Sequence, residues 1–355
     1  MKKLLACLLA MTMALGLLAG CGQQEPAPAA GEEEPASQSQ ETGDLQKIVI
    51  TEQVRGYHWA PAYLAQTLGY FAEEGLDADF QTIKGDAMAP VVSGDALFCL
   101  KGIETALSVN EAGQGCKVIL SSSQKYPYQL VGANENYSTI ESLKGQVVAG
   151  GLSTSGGPYA FAKACLAAAG MDPDNDANVT TMASAAYAAA IEKGELQGAV
   201  STNPWSAKLL ADMGGVVIVD GTDEAEIEKI IGSPTYELFT MITSDEWIQS
   251  DPELIQKAVN AMAKAMQWME KATPEEIAEK MLPLFDGAQE ELLYDAQYDK
   301  EHQVANYTGY HTDTGFQAAL KLTKLAGGIT QDTTADKIYD ESFLDNAWQS
   351  LDRAQ

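Results

Sequence analysis

The residues with the clearest potential for binding chemistry lie in the stretch VRGYHWAP, residues 54–61. Arg55 is one of two arginines in the chain, the other being Arg353. The ring side chains that follow it are Tyr57, His58 and Trp59. A guanidinium can hold a sulfonate or a carboxylate through two hydrogen bonds, and three adjacent side chains cannot all point into a core. The stretch therefore predicts one wall of a ligand cleft. The alternative is that Arg55 pairs with acidic side chains on the surface, weighed equally for this residue, while Trp59 packs in the core.

A second candidate, GGLSTSGGPYAFAKACLAAAG at residues 150–170, has the composition of a loop that opens a helix. Unpaired N–H groups at a helix start carry partial positive charge, and glycines let a ligand approach them closely. Hydroxyl groups add further hydrogen-bond donors. The residues predicted to meet an anion here are Ser153, Thr154, Ser155 and Gly156. Ordinary capping of the helix by Ser or Thr is the alternative interpretation.

Five more candidates carry rings or amides close to predicted strand ends and helix starts, where clefts for small molecules form in α/β proteins. They are Tyr126, Tyr128, Asn203, Trp205 and Tyr236. A place in the core is the alternative for each of them.

Residues arranged for catalysis are missing from the sequence. The histidines are His58, His302 and His311, and no HExxH, GxSxG or GxxxxGK[ST] pattern occurs. Cys99, Cys116 and Cys165 lie in apolar contexts without a CxxC pair, which predicts buried thiols rather than disulfides or metal ligands. The sequence therefore predicts neither an enzyme nor a cofactor or metal site.

The elements that must position the candidate residues follow from the patterns after Lys47. Short β-branched runs alternate with alanine-rich helical stretches, an order typical of parallel βαβ units in open, doubly wound sheets. The series starts once at KIVITEQ and again near Leu143, and the pattern beyond about Ser233 is mainly helical. We therefore expect an α/β fold of two lobes with a helical C-terminal part. The predicted lobes are residues 47–131 together with 236–355, and residues 132–235.

The N-terminal end has the features of a secretory signal in residues 1–20: two lysines, then an apolar run from Leu4 to Leu18. The tetrapeptide LAGC, ending at Cys21, resembles the lipobox of bacterial lipoproteins, in which the cysteine is lipidated. A plain signal without lipidation is the alternative. Residues 22–46 are rich in Pro, Ala, Glu, Gln and Ser, a composition that predicts a disordered acidic tether. Together with the lipobox resemblance, residues 21–46 are expected to be a lipidated cysteine and this tether.

The charge balance excludes some partners. The chain has 50 acidic and 22 basic residues, and its net charge is −28 at pH 7. An acidic surface of this kind argues against binding to nucleic acid and against adhesion to anionic lipid head groups. Any membrane attachment is therefore expected to depend on the lipid at Cys21.

Four stretches of the chain together resemble the nitrate/sulfonate/taurine and thiamine-precursor group of ABC-transporter substrate-binding proteins. They are APAYLAQTLGYFAEEGLDADF, VVSGDALFCLKGIETALSVNEAG, STIESLKGQVVAGG and IEKGELQGAVSTNPW. The resemblance covers roughly residues 47–245. It implies a type II periplasmic-binding-protein-like fold, in which two lobes close over a ligand.

The same resemblance implies an extracytoplasmic, lipid-anchored binding protein, expected to be a monomer, which delivers a small molecule to an ABC permease and its ATPase. A small organic anion such as a sulfonate or taurine is the first expectation for the ligand, because a helix start faces a possible arginine site. An aromatic heterocycle such as a thiamine pyrimidine precursor is the alternative. A surface sensor that binds the same ligand without transport is a third interpretation.

Overall fold

The computed structural model describes residues 45–154, 156–203 and 205–352. The predicted signal, Cys21 and Ser155 lie outside the described residues, as does the predicted tether apart from its last two residues. Within these ranges no helix is both long enough and apolar enough to cross a membrane.

The first of two sheets has the strand order β2–β1–β3–β10–β4. Its strands are β1 (Gln46–Glu52), β2 (Leu76–Thr82), β3 (Phe98–Gly102), β4 (Cys116–Ser121) and β10 (Phe239–Ser244). Strand β1 is parallel to β2 and β3, whereas β10 runs antiparallel to β3 and β4. Because β10 enters from the second sheet, it crosses its neighbours in the opposite direction.

The second sheet repeats this plan with the order β7–β6–β8–β5–β9. Its strands are β5 (Gln129–Gly132), β6 (Val147–Ala149), β7 (Asn178–Thr180), β8 (Gly198–Ser201) and β9 (Val216–Asp220). Strand β6 is parallel to β7 and β8, and the incoming strand β5 is antiparallel to β8 and β9. Two α/β sheets are confirmed, but each is mixed rather than purely parallel, because each contains one strand that arrives from the other sheet.

Helices cover the strands in both parts of the chain. Those before β10 are α1 (Ala60–Thr67), α2 (Tyr70–Glu73), α3 (Ala89–Val92), α4 (Ile103–Glu111), α5 (Gly157–Ala168), α6 (Tyr187–Glu192), α7 (Trp205–Met213) and α8 (Glu224–Ile231). Those after β10 are α9 (Asp245–Ser250), α10 (Pro252–Lys271), α11 (Pro274–Met281), α12 (Gln289–His302), α13 (Asp313–Leu325), α14 (Ala335–Ile338) and α15 (Ser342–Ser350). Short 3-10 helices lie at Tyr57–Trp59, Glu135–Tyr137, Glu141–Leu143, Ser184–Ala186 and Leu282–Leu284.

The first predicted helix differs from the observed structure. The pattern from Pro61 to Gly75 predicts one helix, but α1 ends at Thr67 and α2 begins at Tyr70. Gly69 lies between them with a φ of 83°, a left-handed conformation that glycine adopts without a Cβ clash. The glycine therefore ends α1 and turns the chain before the helical pattern is complete.

In helix α10, apolar residues recur near helical spacing, a pattern that predicts a core face. Its residues Leu254, Ala258, Met262, Met266 and Met269 are all buried. The helix packs against α1 and α15 under the first sheet, in one of the hydrophobic clusters of the fold. The predicted capping box of α11 is also present, because Thr273 and Glu276 exchange side-chain and backbone hydrogen bonds.

The three cysteines among the described residues fit the sequence-based expectation. Cys99, Cys116 and Cys165 are free and buried. Burial raises the pKa of each thiol, and it raises those of Cys99 and Cys116 to about 12. Thiols of this kind stay protonated at neutral pH and act as small apolar side chains.

Candidate ligand-binding site

A cavity of about 520 Å³, here called the main cleft, lies where the loops of the two sheets meet. Residues that line it come from the loops after β1 and β3 of the first sheet and after β6 and β8 of the second. These loops leave the carboxyl ends of parallel strands, which is where α/β sheets place ligands. Further lining residues come from α12 and the segment before it, and from the chain just before β5 and at the start of β10.

The rings of the loop after β1 lie in the wall of the main cleft. Tyr57, His58 and Trp59 form one 3-10 turn, and all three line the cavity. His58 stacks on Phe239 with ring centroids 4.2 Å apart, and Trp59 meets the same ring edge-on at 5.2 Å. Tyr57 is buried, and its hydroxyl donates to Asp299 Oδ2 at 3.3 Å. The predicted wall is thus rigid and mostly aromatic.

Arg55 lines the main cleft, but its guanidinium already has partners. Its Nε donates to Glu52 Oε1 at 2.7 Å, and its terminal nitrogens donate to the carbonyl oxygens of Phe80 and Leu284 at 3.0 Å each. Glu52 is fully buried at the end of β1 and also accepts from the hydroxyls of Tyr63 and Thr82. The alternative interpretation, pairing with an acidic side chain, therefore describes Arg55 here, although its partner is buried rather than on the surface.

The loop after β6 brings part of the predicted anion site to the main cleft. Ser153, Gly156 and Gly157 line the cavity, whereas Thr154 is exposed and does not. Gly156 precedes α5 in an extended conformation without a side-chain cap, and Pro158 occupies the first turn. The start of α5 therefore faces the main cleft, as the sequence predicts for this loop.

The loop after β8 contributes an amide and a ring. Asn203 and Trp205 both line the main cleft. Asn203 Oδ1 accepts a hydrogen bond from the Ser206 hydroxyl at 2.7 Å, so the NH₂ group of Asn203 can donate to other partners. The ammonium of Lys208 lies 4.8 Å from the centre of the Trp205 ring. These contacts fix both side chains at the start of α7.

Two of the predicted aromatic site residues do not reach the cavity. Tyr126 and Tyr236 are completely buried, and their rings pack against each other at 4.5 Å. Their hydroxyls donate inward, from Tyr126 to the Gly157 carbonyl and from Tyr236 to Glu104 Oε1. The hydroxyl groups that suggested ligand contact therefore have partners within the protein. Of the three candidate tyrosines Tyr126, Tyr128 and Tyr236, only Tyr128 lines the main cleft.

Carboxyl groups of the lining were not identified from the sequence. Glu104, Glu291 and Asp295 all line the main cleft. Glu104 is almost fully buried, and burial raises its pKa to about 7. The pKa of Asp295 is also raised to about 7, by burial and by the nearby charges of Glu291 and Asp299. The sequence signal for Glu104 was its place two residues after the glycine that ends a strand. The carboxyls of α12 gave no such signal, because that helix is only weakly amphipathic.

A second, much smaller cavity lies beside the main cleft. Its volume is about 30 Å³, enough for one water molecule, and Tyr57, Asn203, Tyr298 and Asp299 are among its lining residues. Asp299 is buried, and burial raises its pKa to about 7. The wall between the two cavities therefore contains carboxyl groups that are easily protonated near neutral pH.

Two mixed α/β sheets with a cleft between their loops define the periplasmic-binding-protein class of fold. The chain belongs to the NMT1/THI5-like family, whose sequence profile matches residues 57–277. It is 25% identical over 273 residues to YtlA of Bacillus subtilis (strain 168), which is provisionally named a binding protein; the match covers 74% of this chain and 78% of YtlA.

Solved structures share the fold over most of the chain. A protein of Bordetella bronchiseptica RB50 is similar with a TM-score of 0.69 and 21% identity, over 87% of this chain and 99% of that one. The periplasmic nitrate-binding protein NrtA of Synechocystis PCC 6803 is similar with a TM-score of 0.66 and 13% identity, over 87% of this chain and 89% of that one. At these identities the likeness establishes the fold and leaves the ligand open.

We predict that Arg55→Ala destabilises the protein, because it leaves the buried carboxylate of Glu52 without its cation. The expected loss is about 3–5 kcal/mol in the free energy of unfolding, measured by urea denaturation. Lys257→Ala is the control, since it removes an exposed helix pair with Glu253 and should cost less than about 1 kcal/mol. Equal losses in the two variants would contradict a structural role for Arg55.

We predict that Asp299→Asn reduces the loss of stability as the pH rises. A carboxyl whose pKa is raised by folding stabilises the native state at low pH, and this contribution disappears as the pH rises through about 7. Between about pH 5.5 and about pH 8 the variant should therefore lose about 2 kcal/mol less than the wild type. Thermal or urea unfolding at both pH values measures this, and the exposed Asp286→Asn should keep the wild-type difference.

Proposed function

We propose that this protein is an extracytoplasmic solute-binding protein that holds a small organic molecule in the main cleft and delivers it to a membrane permease driven by an ATPase. The observation that carries the proposal is the cavity of about 520 Å³ lined by loops of both sheets. Its size suits a small molecule, and its lining of rings with a few polar groups is typical of ligand sites. Membership of the NMT1/THI5-like family supports the same role.

Ligand contacts from both sheets give a mechanism for delivery. A molecule that touches loops of both sheets binds a closed form more tightly than an open one, so it shifts the population toward closure about the connecting strands. The closed form is then the one that docks on the permease. In this proposal the two sheets mark two lobes, formed by residues 47–131 with 236–355 and by residues 132–235.

Of the two ligand classes predicted from the sequence, the aromatic heterocycle has the stronger support in the main cleft. An organic anion would meet the start of α5 and Lys101, but it would also face the carboxyls of Glu104, Glu291 and Asp295. Arg55 offers it little, because its guanidinium is held by Glu52 and two carbonyls. A flat ring, in contrast, fits among aromatic side chains. Those that line the main cleft are Tyr57, His58, Trp59, Tyr128 and Trp205.

Binding without catalysis is part of the proposal. His58 is the histidine of the main cleft among the described residues, and burial lowers its pKa to about 4. It is packed face to face on Phe239, so it is poorly suited to exchange protons with a ligand near neutral pH. The sequence adds no motif for a nucleophile or a metal. Delivery to a receptor instead of a permease remains the alternative use of the same site.

We predict that the mature protein enriches an aromatic nitrogen heterocycle from a cell extract, detected by mass spectrometry after washing and denaturation. Trp205→Ala should retain at least about tenfold less of that molecule, because it removes an aromatic wall of the main cleft. Tyr294→Ala removes an exposed ring outside the lining and should behave as the wild type. No enriched small molecule in the wild-type sample would contradict the proposed function.

Lipid anchoring through Cys21 completes the proposal. We predict that the full chain, expressed in a lipoprotein-processing bacterium, incorporates labelled palmitate and sediments with membranes, because several acyl chains on one residue give stable attachment. Cys21→Ser should abolish both the label and the sedimentation. Cys165→Ser is the control, since this thiol is buried in the fold. Label that persists in Cys21→Ser would rule out this residue as the anchor.

A further inference from the structure

The most informative side chain in the main cleft is Glu104, near the start of α4. It is the second residue after the carboxyl end of β3 and lines the cavity with only 4% of its surface exposed. A carboxyl group so deeply buried is costly unless a partner compensates its charge. Glu104 therefore calls for a partner, either in the protein or in a ligand.

The protein builds a close-fitting site around this carboxyl. The Tyr236 hydroxyl donates to Glu104 Oε1 at 3.2 Å. A Cβ at Gly102 would lie 2.2 Å from Glu104 Oε2, and a Cβ at Gly157 would lie 2.9 Å from Oε1. A side chain at either glycine would displace the carboxyl, which lies between the end of β3 and the start of α5. The position of Glu104 is fixed from both sheets.

A cationic partner for Glu104 is absent from the described part of the chain. Lys101 is the basic side chain that shares the lining on this side, and its Nζ donates to Gln53 Oε1 at 2.6 Å. None of the ion pairs formed by residues 45–154, 156–203 and 205–352 includes Glu104. Its carboxyl is thus a hydrogen-bond acceptor at the wall of a cavity with aromatic surroundings.

We propose that Glu104 selects the ligand class: its carboxylate accepts hydrogen bonds from an amidinium or amino group carried by an aromatic ligand. This assignment rests on the proposed function, because it concerns the same cleft. The aromatic lining holds the ring, and the N–H groups replace the water that a buried carboxylate loses. A sulfonate or carboxylate at this place would instead meet a like charge in a poorly solvated site.

Proton binding provides an independent readout of the same contact. Burial raises the pKa of Glu104 to about 7, so part of the free protein carries a neutral carboxyl at neutral pH. The titratable groups that face Glu104 are Lys101, Tyr126, Tyr128, Tyr236 and Tyr339. Burial raises the pKa of each of these tyrosines, so they keep their protons. A permanently cationic ligand should therefore bind more tightly as the pH rises through about 7.

The test uses the mature chain and two probes of similar ring size, benzamidine and benzenesulfonate, in calorimetric titrations. Benzamidine should bind the wild type, and Glu104→Gln should weaken this binding about 10- to 100-fold, because a charged hydrogen bond is lost. Glu111→Gln is the matched control: it changes the same residue type on the same helix, at an exposed position outside the lining. Benzenesulfonate should bind the wild type more weakly than benzamidine does.

Wild-type affinity for benzamidine should also rise between about pH 6 and about pH 8, as Glu104 and the neighbouring cleft carboxyl of Asp295 lose their protons. The comparison of the two probes on the wild type needs no variant and stays decisive if Glu104→Gln fails to fold. Undetectable benzamidine binding at millimolar concentration, equal affinities of the wild type and Glu104→Gln, or tighter binding of benzenesulfonate would each overturn the assignment. An extract molecule that is enriched by the wild type but lacks an N–H group would overturn this inference while leaving the proposed function intact.

Discussion

The ion pair between Glu52 and Arg55 is the interaction on which the wall of the main cleft depends. Glu52 is completely buried at the end of β1, where an unpaired carboxylate would be strongly destabilising. Arg55 neutralises it and continues to the carbonyl oxygens of Phe80 and Leu284, in β2 and in the helical C-terminal part. Because three separate segments hold one guanidinium, the loop after β1 has a single path, and that path places Tyr57, His58 and Trp59 in the cavity wall.

A comparison between Glu52 and Glu104 separates structure from recognition. Both carboxyls are buried, and both lie at or just beyond the carboxyl end of a strand of the first sheet. Glu52 has a cation and two hydroxyl donors from the protein, so nothing remains for a ligand to supply. Glu104 has one hydroxyl donor and no ion pair within the described residues, and it borders a cavity. Both carboxyls lie in a low-dielectric environment, where an unpaired charge is costly. A bound molecule can supply the cation that Glu104 lacks.

Much of the fold was predictable because it depends on local patterns. Strand β1, the capping box of α11 and the buried methionines of α10 follow from periodicity and capping alone. The loops that form the main cleft were also predictable, because they follow from strand order. The partners of individual side chains were not. Tyr126 and Tyr236 reach Gly157 and Glu104, and such contacts join segments far apart in sequence. No local sequence pattern shows which tyrosine hydroxyls bond to the protein interior and which face the cleft.

The start of α5 shows why a correct element does not yet give a correct ligand. Its composition predicted a helix start that faces the cleft, and the partial positive charge there suggested a bound anion. In the folded chain the carboxyl of Glu104 lies against this same first turn, so close that a Cβ at Gly157 would lie 2.9 Å from Oε1. The helix start already faces a carboxyl group of the protein, which lowers its value for a second anion. The similarity of fold to a nitrate-binding protein, at 13% identity, does not change the charges around this helix start. The ligand class therefore has to be read from the groups that line the main cleft of this chain, and Glu104 is the most deeply buried carboxyl among them.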